Sequence, residues 1–96
     1  MTKAKVNGRA VLVTTAHRGV FYGYMSGKPE KESVTLRRAR NCLYWSADVG
    51  GFLGLAAGGP SKSCKLGAWA DGVTLYDVTS ITECSDAAMA AWEAAK

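Results

Sequence analysis

One short segment of the sequence carries most of the residue types that could do chemistry. Residues 37–45 read RRARNCLYW. Guanidinium groups bind phosphate oxygens in bidentate fashion, and a tyrosine or tryptophan ring stacks on a nucleobase for ~1–3 kcal/mol. These are the side chains that a nucleotide site needs. We therefore predict that Arg37, Arg38 and Arg40 bind phosphate and that Tyr44 and Trp45 stack on a base.

The spacing within this segment predicts how its side chains divide between two faces. In an extended strand, side chains alternate from one face to the other. Arg38, Arg40, Cys42 and Tyr44 would then share one face, and the opposite face would hold Arg37, Asn41 and Trp45. A simpler interpretation stays open, in which the two rings end a core strand and the arginines form its solvent face.

Four further residues complete the predicted ligand site. Phe52 offers a third ring, and Arg18, Asn41 and Lys62 would line the site with polar groups. Lys62 belongs to residues 58–63, GGPSKS, which lack the GxxxxGK[ST] spacing of a Walker phosphate loop. A looser anion nest of backbone amides is one interpretation of this stretch, and an ordinary turn is the other.

The sequence holds no recognisable catalytic or metal-binding set. His17 is its one histidine, and no carboxylate lies near it in the sequence to orient it. Neither HExxH nor GxSxG occurs. The three cysteines, at 42, 64 and 84, are widely spaced without a CxxC pair, which favours reduced thiols over a disulfide framework or a zinc site. We therefore expect a binding protein, not an enzyme, with no cofactor.

Charge is distributed unevenly along the chain. Residues 1–40 hold nine Lys and Arg against two Glu, a balance of +7, and residues 41–96 hold three Lys against six acids, a balance of −3. Such asymmetry favours an anionic partner, or complementary charge between subunits. A solvated surface with no binding role is the alternative.

Length and composition indicate one small globular domain. The chain has 96 residues, of which 48% are hydrophobic and 21% are charged. No apolar run approaches the ~20 residues of a membrane helix, and the first residues, MTKAKVNGR, contain no apolar signal-peptide core. We expect a cytoplasmic protein without membrane contact.

The order of predicted elements indicates a mainly β fold. A hairpin of two strands at 9–15 and 20–25, turning at 17–19, precedes a polar surface turn at 26–33 and a third strand that runs on to 45. Gly23 would mark a bend or bulge. An ordered, Gly-rich insertion follows at 46–72, then one or two strands at 73–83 meeting near Asp77, and a helix at 85–95 capped by Ser85. This order predicts a small, strongly bent antiparallel sheet or an SH3- or Sm-like barrel. A three-stranded sheet covered by one helix is the alternative.

Several stretches resemble an uncharacterised family of small phage and prophage proteins. They are HRGVFYG at 17–23, ARNCLYW at 39–45, GFLGLAAGGP at 51–60 and AMAAWE at 88–93. The resemblance implies a phage origin and assigns no activity and no functional residue. Small phage proteins often disarm host defence, and in size and layout the chain is similar to the oligomeric β-rich sponges that sequester signalling nucleotides.

Together these features predict a phage-encoded, non-catalytic protein that sequesters an anionic signalling nucleotide. A homo-oligomer is expected, because a thin core and an apolar insertion gain by burial against another chain. Two alternatives remain: a phage accessory protein that binds nucleic acid, and an inhibitor directed at a host defence enzyme.

Overall fold

A computed structural model describes residues 8–16, 19–26 and 33–95 of the chain. Six strands and two helices follow one another in these residues: β1 (Arg9–Thr15), β2 (Val20–Met25), β3 (Ser33–Tyr44), α1 (Gly51–Ala57), β4 (Lys65–Leu66), β5 (Ala70–Tyr76), β6 (Val78–Glu83) and α2 (Asp86–Ala94). A single turn of 3-10 helix, Ala47–Val49, precedes α1. β1 and β2 occupy the residues for which the β-branched and aromatic runs predict strands.

The strands form one antiparallel sheet that bends strongly. The order is β4-β3-β2-β1-β6, and β5 pairs with β3 on the side away from β2. β5 and β6 therefore lie at opposite edges of the sheet, yet only Asp77 separates them in sequence. Strands four positions apart in a flat sheet would be about 19 Å apart, from a spacing of ~4.8 Å per strand. Asp77 has φ 57°, and the chain turns there from one edge to the other, so the sheet must curl.

The curl gives the protein two apolar clusters, one on each face of the sheet. The inner cluster is made of Val11, Val13, Met25, Val34, Leu36, Ala39 and Leu75. Leu75 belongs to the β5 edge, and Val78 and Ile81 of the opposite edge strand β6 pack against the cluster, which places it inside the curl. The helix-side cluster lies between the outer face and the two helices: Ala10, Leu12, Val20, Tyr22, Cys42, Leu55, Ala56, Ala88 and Trp92. Successive residues of β1 enter the two clusters alternately, so this strand is buried on both faces.

A β-bulge interrupts the pairing of β2 with β3. Tyr22 pairs with Arg40 and Tyr24 pairs with Arg37, so two residues of β3 oppose Gly23 alone. Arg38, in the bulge, has φ 47°. The sequence predicts a bend or bulge at Gly23, and there a Cβ would lie 2.9 Å from the Cβ of Leu36. A side chain at position 23 would therefore collide with β3 at the bulge, and glycine avoids this collision.

The Gly-rich insertion is ordered and packs on the body of the protein. Leu55 and Ala56 of α1 are buried in the helix-side cluster, and the indole N–H of Trp92 donates to the carbonyl of Leu55 at 3.0 Å. Ser85 caps α2 by accepting a hydrogen bond from the amide of Ala88, as predicted. Its hydroxyl also donates to the carbonyl of Ala57, which ties the start of α2 to the end of α1.

The predicted fold class, a mainly β protein with a strongly bent antiparallel sheet and a C-terminal helix, is confirmed. The sheet is not closed into a barrel, and it has six strands where the alternative has three. The strand predicted to start at Val73 begins three residues earlier, at Ala70, because pairing with β3 extends to Ala39. The predicted turns at 17–19 and 26–33 lie largely outside the described residues.

Candidate anion-binding groove

The bulge places three arginines on the outer face of the sheet. Arg37 pairs with Tyr24, and Arg40 pairs with Tyr22. Tyr22 belongs to the helix-side cluster, and Tyr24 packs against that cluster. Arg38 reaches α2 on the same side. The alternation predicted from the sequence put Arg37 on the face opposite Arg38 and Arg40, which is wrong because the extra residue of the bulge shifts the alternation by one position.

Glu93 of α2 accepts hydrogen bonds from several polar groups of this face. Its side chain is 5% exposed and accepts two hydrogen bonds from Arg38, Nε at 2.9 Å and Nη2 at 2.7 Å. The hydroxyls of Tyr24 and Tyr22 donate to the same carboxylate at 2.9 and 3.3 Å. A buried carboxylate is tolerated only when it is paired and hydrogen-bonded in this way. The network therefore anchors α2 to β2 and β3.

Arg40 lies deeper than Arg38, and its hydrogen bonds within the described residues go to neutral carbonyl groups. It is 5% exposed, and its guanidinium donates to the carbonyls of Gly67, Trp92 and Ala95, the last at 2.8 Å. Burial lowers the pKa of Arg40, although an arginine stays protonated in any protein. A full positive charge is therefore held next to the carboxyl end of α2.

Trp69 is the ring on which both of these arginines rest. The guanidinium carbons of Arg38 and Arg40 lie 4.3 and 4.7 Å from its centroid. Contacts of this kind stabilise a cation by ~0.5–2 kcal/mol each. Trp69 also packs edge-on against Tyr22. Within the described residues, Trp69 is therefore the aromatic ring that Arg38 and Arg40 contact.

Beside this network, a groove of about 490 Å³ runs between α2 and the segment that leads into β4. One wall is formed by Pro60, Ser61, Lys62, Cys64 and Leu66, and the other by Ala91, Ala94 and Ala95. Gly59, with φ 83°, lets the first wall approach the helix, since a Cβ there would lie 2.5 Å from the Cβ of Ala91. The volume falls within the range of ~300–1,000 Å³ that small-molecule sites occupy.

Two cations, Arg40 and Lys62, lie at the groove, and the nearby carboxylate of Glu93 is already paired with Arg38. Arg40 lies behind its wall, because the Ala95 carbonyl that it binds belongs to a lining residue. The dipole of α2 offsets about half a unit of that charge. Lys62 is exposed on the opposite wall and adds a mobile ammonium group, and the described lining residues include no carboxylate. The groove therefore attracts anions.

The aromatic residues predicted to stack on a base do not line this groove. Tyr44 is 52% exposed at the end of β3. Trp45 and Phe52 are half-buried and pack against the helix-side cluster. From Arg38 to Tyr44, β3 extends about 20 Å at ~3.3 Å per residue. The structure therefore does not bring these three rings together with the arginines of β3.

The remaining predicted site residues do not meet at one common place. Arg37 is exposed beside Gly72 of β5. Asn41 lines a smaller cavity of about 180 Å³ that Arg40 also lines, so the structure brings these two predicted residues together. The carbonyl of Asn41 accepts the amide of Gly67. Lys62 is the one predicted residue that lines the groove. Arg18 lies outside the described residues, as does His17.

Sequence reasoning missed four residues that organise the site. Tyr22 and Tyr24 stand two apart on one strand, and this period-2 spacing is a signal that they share a face. Glu93 follows the buried Trp92 on a helix of small residues, and nothing in the sequence pairs it with Arg38, 55 positions away. Trp69 gives no local signal, because it lies between two short strands in a Gly-rich stretch.

The described part of the chain holds neither a cluster of metal ligands nor a helix that could cross a membrane. No group of three or more His, Cys, Asp or Glu side chains there could hold a metal ion. None of the helices described is long and apolar enough to cross a membrane. Every buried side-chain nitrogen or oxygen in these residues has a hydrogen-bond partner.

Comparison with known proteins identifies the family of the chain. Residues 8–92 match the family described as Domain of unknown function (DUF6948), and the chain belongs to that family. The match confirms the predicted membership of an uncharacterised family, and its description names no activity. The chain matches no curated protein and no solved structure.

Proposed function

We propose that this member of the DUF6948 family is a non-catalytic binding protein that sequesters a small anionic nucleotide in the groove between α2 and residues 60–66. The observation that carries the proposal is the positive charge on both sides of the groove. Arg40 supplies a buried charge behind one wall, and Lys62 supplies an exposed one on the other. The apolar surface between them belongs to Ala91, Ala94 and Leu66.

This combination suits a ligand with one flat apolar part and one anionic part. The methyl groups of α2 offer a smooth wall for a base, and Lys62 and the hydroxyl of Ser61 can bind phosphate oxygens. Three carbonyl groups hold the guanidinium of Arg40 in place. Arg40 therefore attracts the anion through its electrostatic field and does not move to contact the ligand. Because Arg40 is already in position, binding of the anion costs no free energy for ordering its side chain.

The biological role in this proposal is removal of a signalling nucleotide that would activate host defence. The sequence resemblance to small phage proteins supports that role, and capture by affinity alone needs no catalytic group. Nanomolar capture requires about 12 kcal/mol of binding free energy. A homo-oligomer in the host cytoplasm is part of the same proposal, because a second subunit would complete the open side of the groove.

A melting-temperature panel tests the proposal. Purified protein is heated with 3′,5′-cyclic mononucleotides, cyclic dinucleotides and ADP-ribose, each at about 1 mM. A ligand present at 100 times its dissociation constant stabilises the folded state by about 2.7 kcal/mol, which raises the Tm of a domain of this size by roughly 10 °C or more. No shift with any member would count against the proposal.

Two lysines provide a matched pair of variants. Lys62→Ala removes the exposed cation of the groove, and Lys65→Ala removes an exposed cation of β4 that does not line it. We expect the first variant to weaken binding about tenfold, the loss of one charge-assisted hydrogen bond, and the second to bind as the unchanged protein does. Equal losses would indicate unspecific attraction. Single-stranded nucleic acid that binds better than any nucleotide would instead favour the alternative function.

A further inference from the structure

A second cavity, of about 180 Å³, opens on the inner face of the sheet. Phe21 and Val73 line it and pack against the inner cluster, and the lining residue Ala39 belongs to that cluster. No described residue lines both this cavity and the groove between α2 and residues 60–66. The cavity is therefore a separate site, and what it binds is independent of the proposed function.

Small and apolar side chains form most of the lining of this cavity. Ala68 and Ala70 face it from the segment that leads into β5, and Phe21 faces it from β2. Trp69, between the two alanines, has its ring against the guanidinium of Arg40 and does not line the cavity. The methyl groups and the phenyl ring therefore offer apolar contacts to a flat ligand.

Asn41 supplies the polar side chain of the cavity. It pairs with Phe21 across β2 and β3 and is half-buried. Its side-chain carboxamide makes no hydrogen bond to any of the described residues. Gly67 leaves room for this side chain, since a Cβ at position 67 would collide with Oδ1 of Asn41. A carboxamide carries a donor beside an acceptor, so Asn41 is available to a ligand that offers the complementary pair.

The charge and the size of the cavity restrict what it can hold. Arg40 is the one charged residue in the described lining, and its guanidinium is already bound to three carbonyls, two of them at the end of α2. A neutral ligand therefore suits the cavity better than an anion. Drug-sized ligands occupy about 300–1,000 Å³, whereas an apolar cavity of about 150 Å³ holds benzene. The volume thus limits the ligand to one small ring system.

We propose that this cavity binds a neutral, planar heterocycle of the aminopurine class, with adenine as the base that Asn41 recognises. An asparagine carboxamide accepts a hydrogen bond from the N6 amino group of adenine and donates one to the adjacent ring nitrogen N7. The ring then packs against Phe21 and the methyl groups of Ala68 and Ala70. Recognition rests on the amino group, because the other contacts are the same for any flat ring of this size.

An NMR titration with two matched probes tests the proposal on the unchanged protein. 9-Methyladenine carries the amino donor, and 9-methylpurine has the same ring without it. We expect the largest chemical-shift changes at Phe21, Ala70 and Asn41, whose side-chain amide protons shift as well. The dissociation constant of 9-methyladenine should be about tenfold lower than that of 9-methylpurine, the effect of one hydrogen bond.

Two variants assign the binding to this cavity. Asn41→Ala should weaken 9-methyladenine about tenfold and leave 9-methylpurine unchanged, and Lys62→Ala, in the groove, should affect neither probe. The proposal is overturned if the unchanged protein binds both probes equally, if Asn41→Ala weakens both alike, or if neither binds at millimolar concentration. Changes centred on Ser61 and Ala94 would also overturn it, and they would place the base in the groove instead.

Discussion

At the scale of residues, one carboxylate governs the polar face of the protein. Glu93 is 5% exposed and receives hydrogen bonds from Arg38, Tyr22 and Tyr24, which come from two different strands. Within the described residues Arg40 hydrogen-bonds to carbonyl groups and lies over Trp69, while the charge of Glu93 acts on it without a hydrogen bond. The excess positive charge that we assign to the groove follows from this difference.

Replacement of Glu93 tests the anchoring role of the network. Glu93→Gln keeps the shape of the side chain and removes its charge, so the bonds from Arg38 and the two phenols lose their ionic component. We expect a loss of about 2–3 kcal/mol in the free energy of unfolding, measured by urea denaturation. Glu83→Gln is the matched control, since its bridge to Arg9 is exposed and should contribute less than about 0.5 kcal/mol. Similar losses in both variants would contradict this role.

The buried phenols and thiols predict a loss of stability at alkaline pH. Burial raises the pKa of Tyr22 and Tyr24, and it raises the pKa of Cys42 and of Cys84 to about 11. Groups whose pKa is raised by folding stabilise the protein fully below their unfolded pKa, about 8.5 for Cys and 10 for Tyr. Above those values the unfolded chain loses protons first, so stability falls as pH rises.

Urea denaturation at intervals between about pH 8 and 11 measures this fall. In Tyr24→Phe the fall above about pH 10 should be shallower, because one of the buried phenols no longer titrates. An unfolding free energy that stays constant over this range would contradict the assigned pKa directions.

At the scale of elements, the start of α2 depends on a single hydroxyl. Ser85 accepts from the amide of Ala88 and donates to the carbonyl of Ala57. The nine residues of α2 are too few to hold a helix in water without tertiary support. The contacts at its two ends, Ser85 at the start and Arg40 at the finish, therefore determine where the wall of the groove stands.

Two substitutions at Ser85 distinguish the effect of losing the hydroxyl from the effect of changing the size of the side chain. Ser85→Ala removes both hydrogen bonds and should cost about 1–2 kcal/mol of unfolding free energy. Ser85→Thr keeps the hydroxyl and should cost less than about 0.5 kcal/mol. The measurement is chemical denaturation followed by circular dichroism, and an equal effect of the two substitutions would show that the cap is unimportant.

The approach of the groove wall to α2 is tested by a pair of glycines. Gly51 and Gly59 have φ values of 74° and 83°, so alanine at either position incurs a backbone cost of about 1–2 kcal/mol. A Cβ at Gly51 meets nothing within 4 Å, whereas one at Gly59 would collide with Ala91. Gly59→Ala should therefore destabilise the protein by about 1–3 kcal/mol more than Gly51→Ala. Equal values from thermal denaturation would place the wall farther from the helix.

At the scale of the whole molecule, the sequence predicts local elements better than the long-range arrangement. Runs of β-branched residues identify β1 and β2, and Ser85 identifies the start of α2, because these signals act between neighbours in the chain. The sheet stays open where a barrel was one expectation, since closure depends on pairing between distant strands. The apolar residues of the Gly-rich insertion predict that it is ordered, but they do not indicate its helix α1.

The candidate site was less predictable than the fold for a related reason. The phosphate-binding role predicted for Arg37, Arg38 and Arg40 depends on where the bulge points them, and alternation alone gives the wrong face for Arg37. The groove lies between residues 60–66 and α2, which are far apart in the sequence. Their proximity therefore produces no periodic pattern in the sequence. Lys62 was identified as a candidate because it lies in a Gly- and Ser-rich turn, a local feature.

The central claim is that the groove between α2 and residues 60–66 binds an anionic nucleotide. An amide-proton NMR titration tests it most directly, with the nucleotide that gives the largest Tm shift in the panel, or with ADP-ribose if none does. We predict that the largest chemical-shift changes fall on Ser61, Lys62, Ala91 and Ala94, and that Lys62→Ala weakens the titration about tenfold. Changes centred on Tyr44 and Phe52, or no changes at millimolar ligand, would contradict the claim.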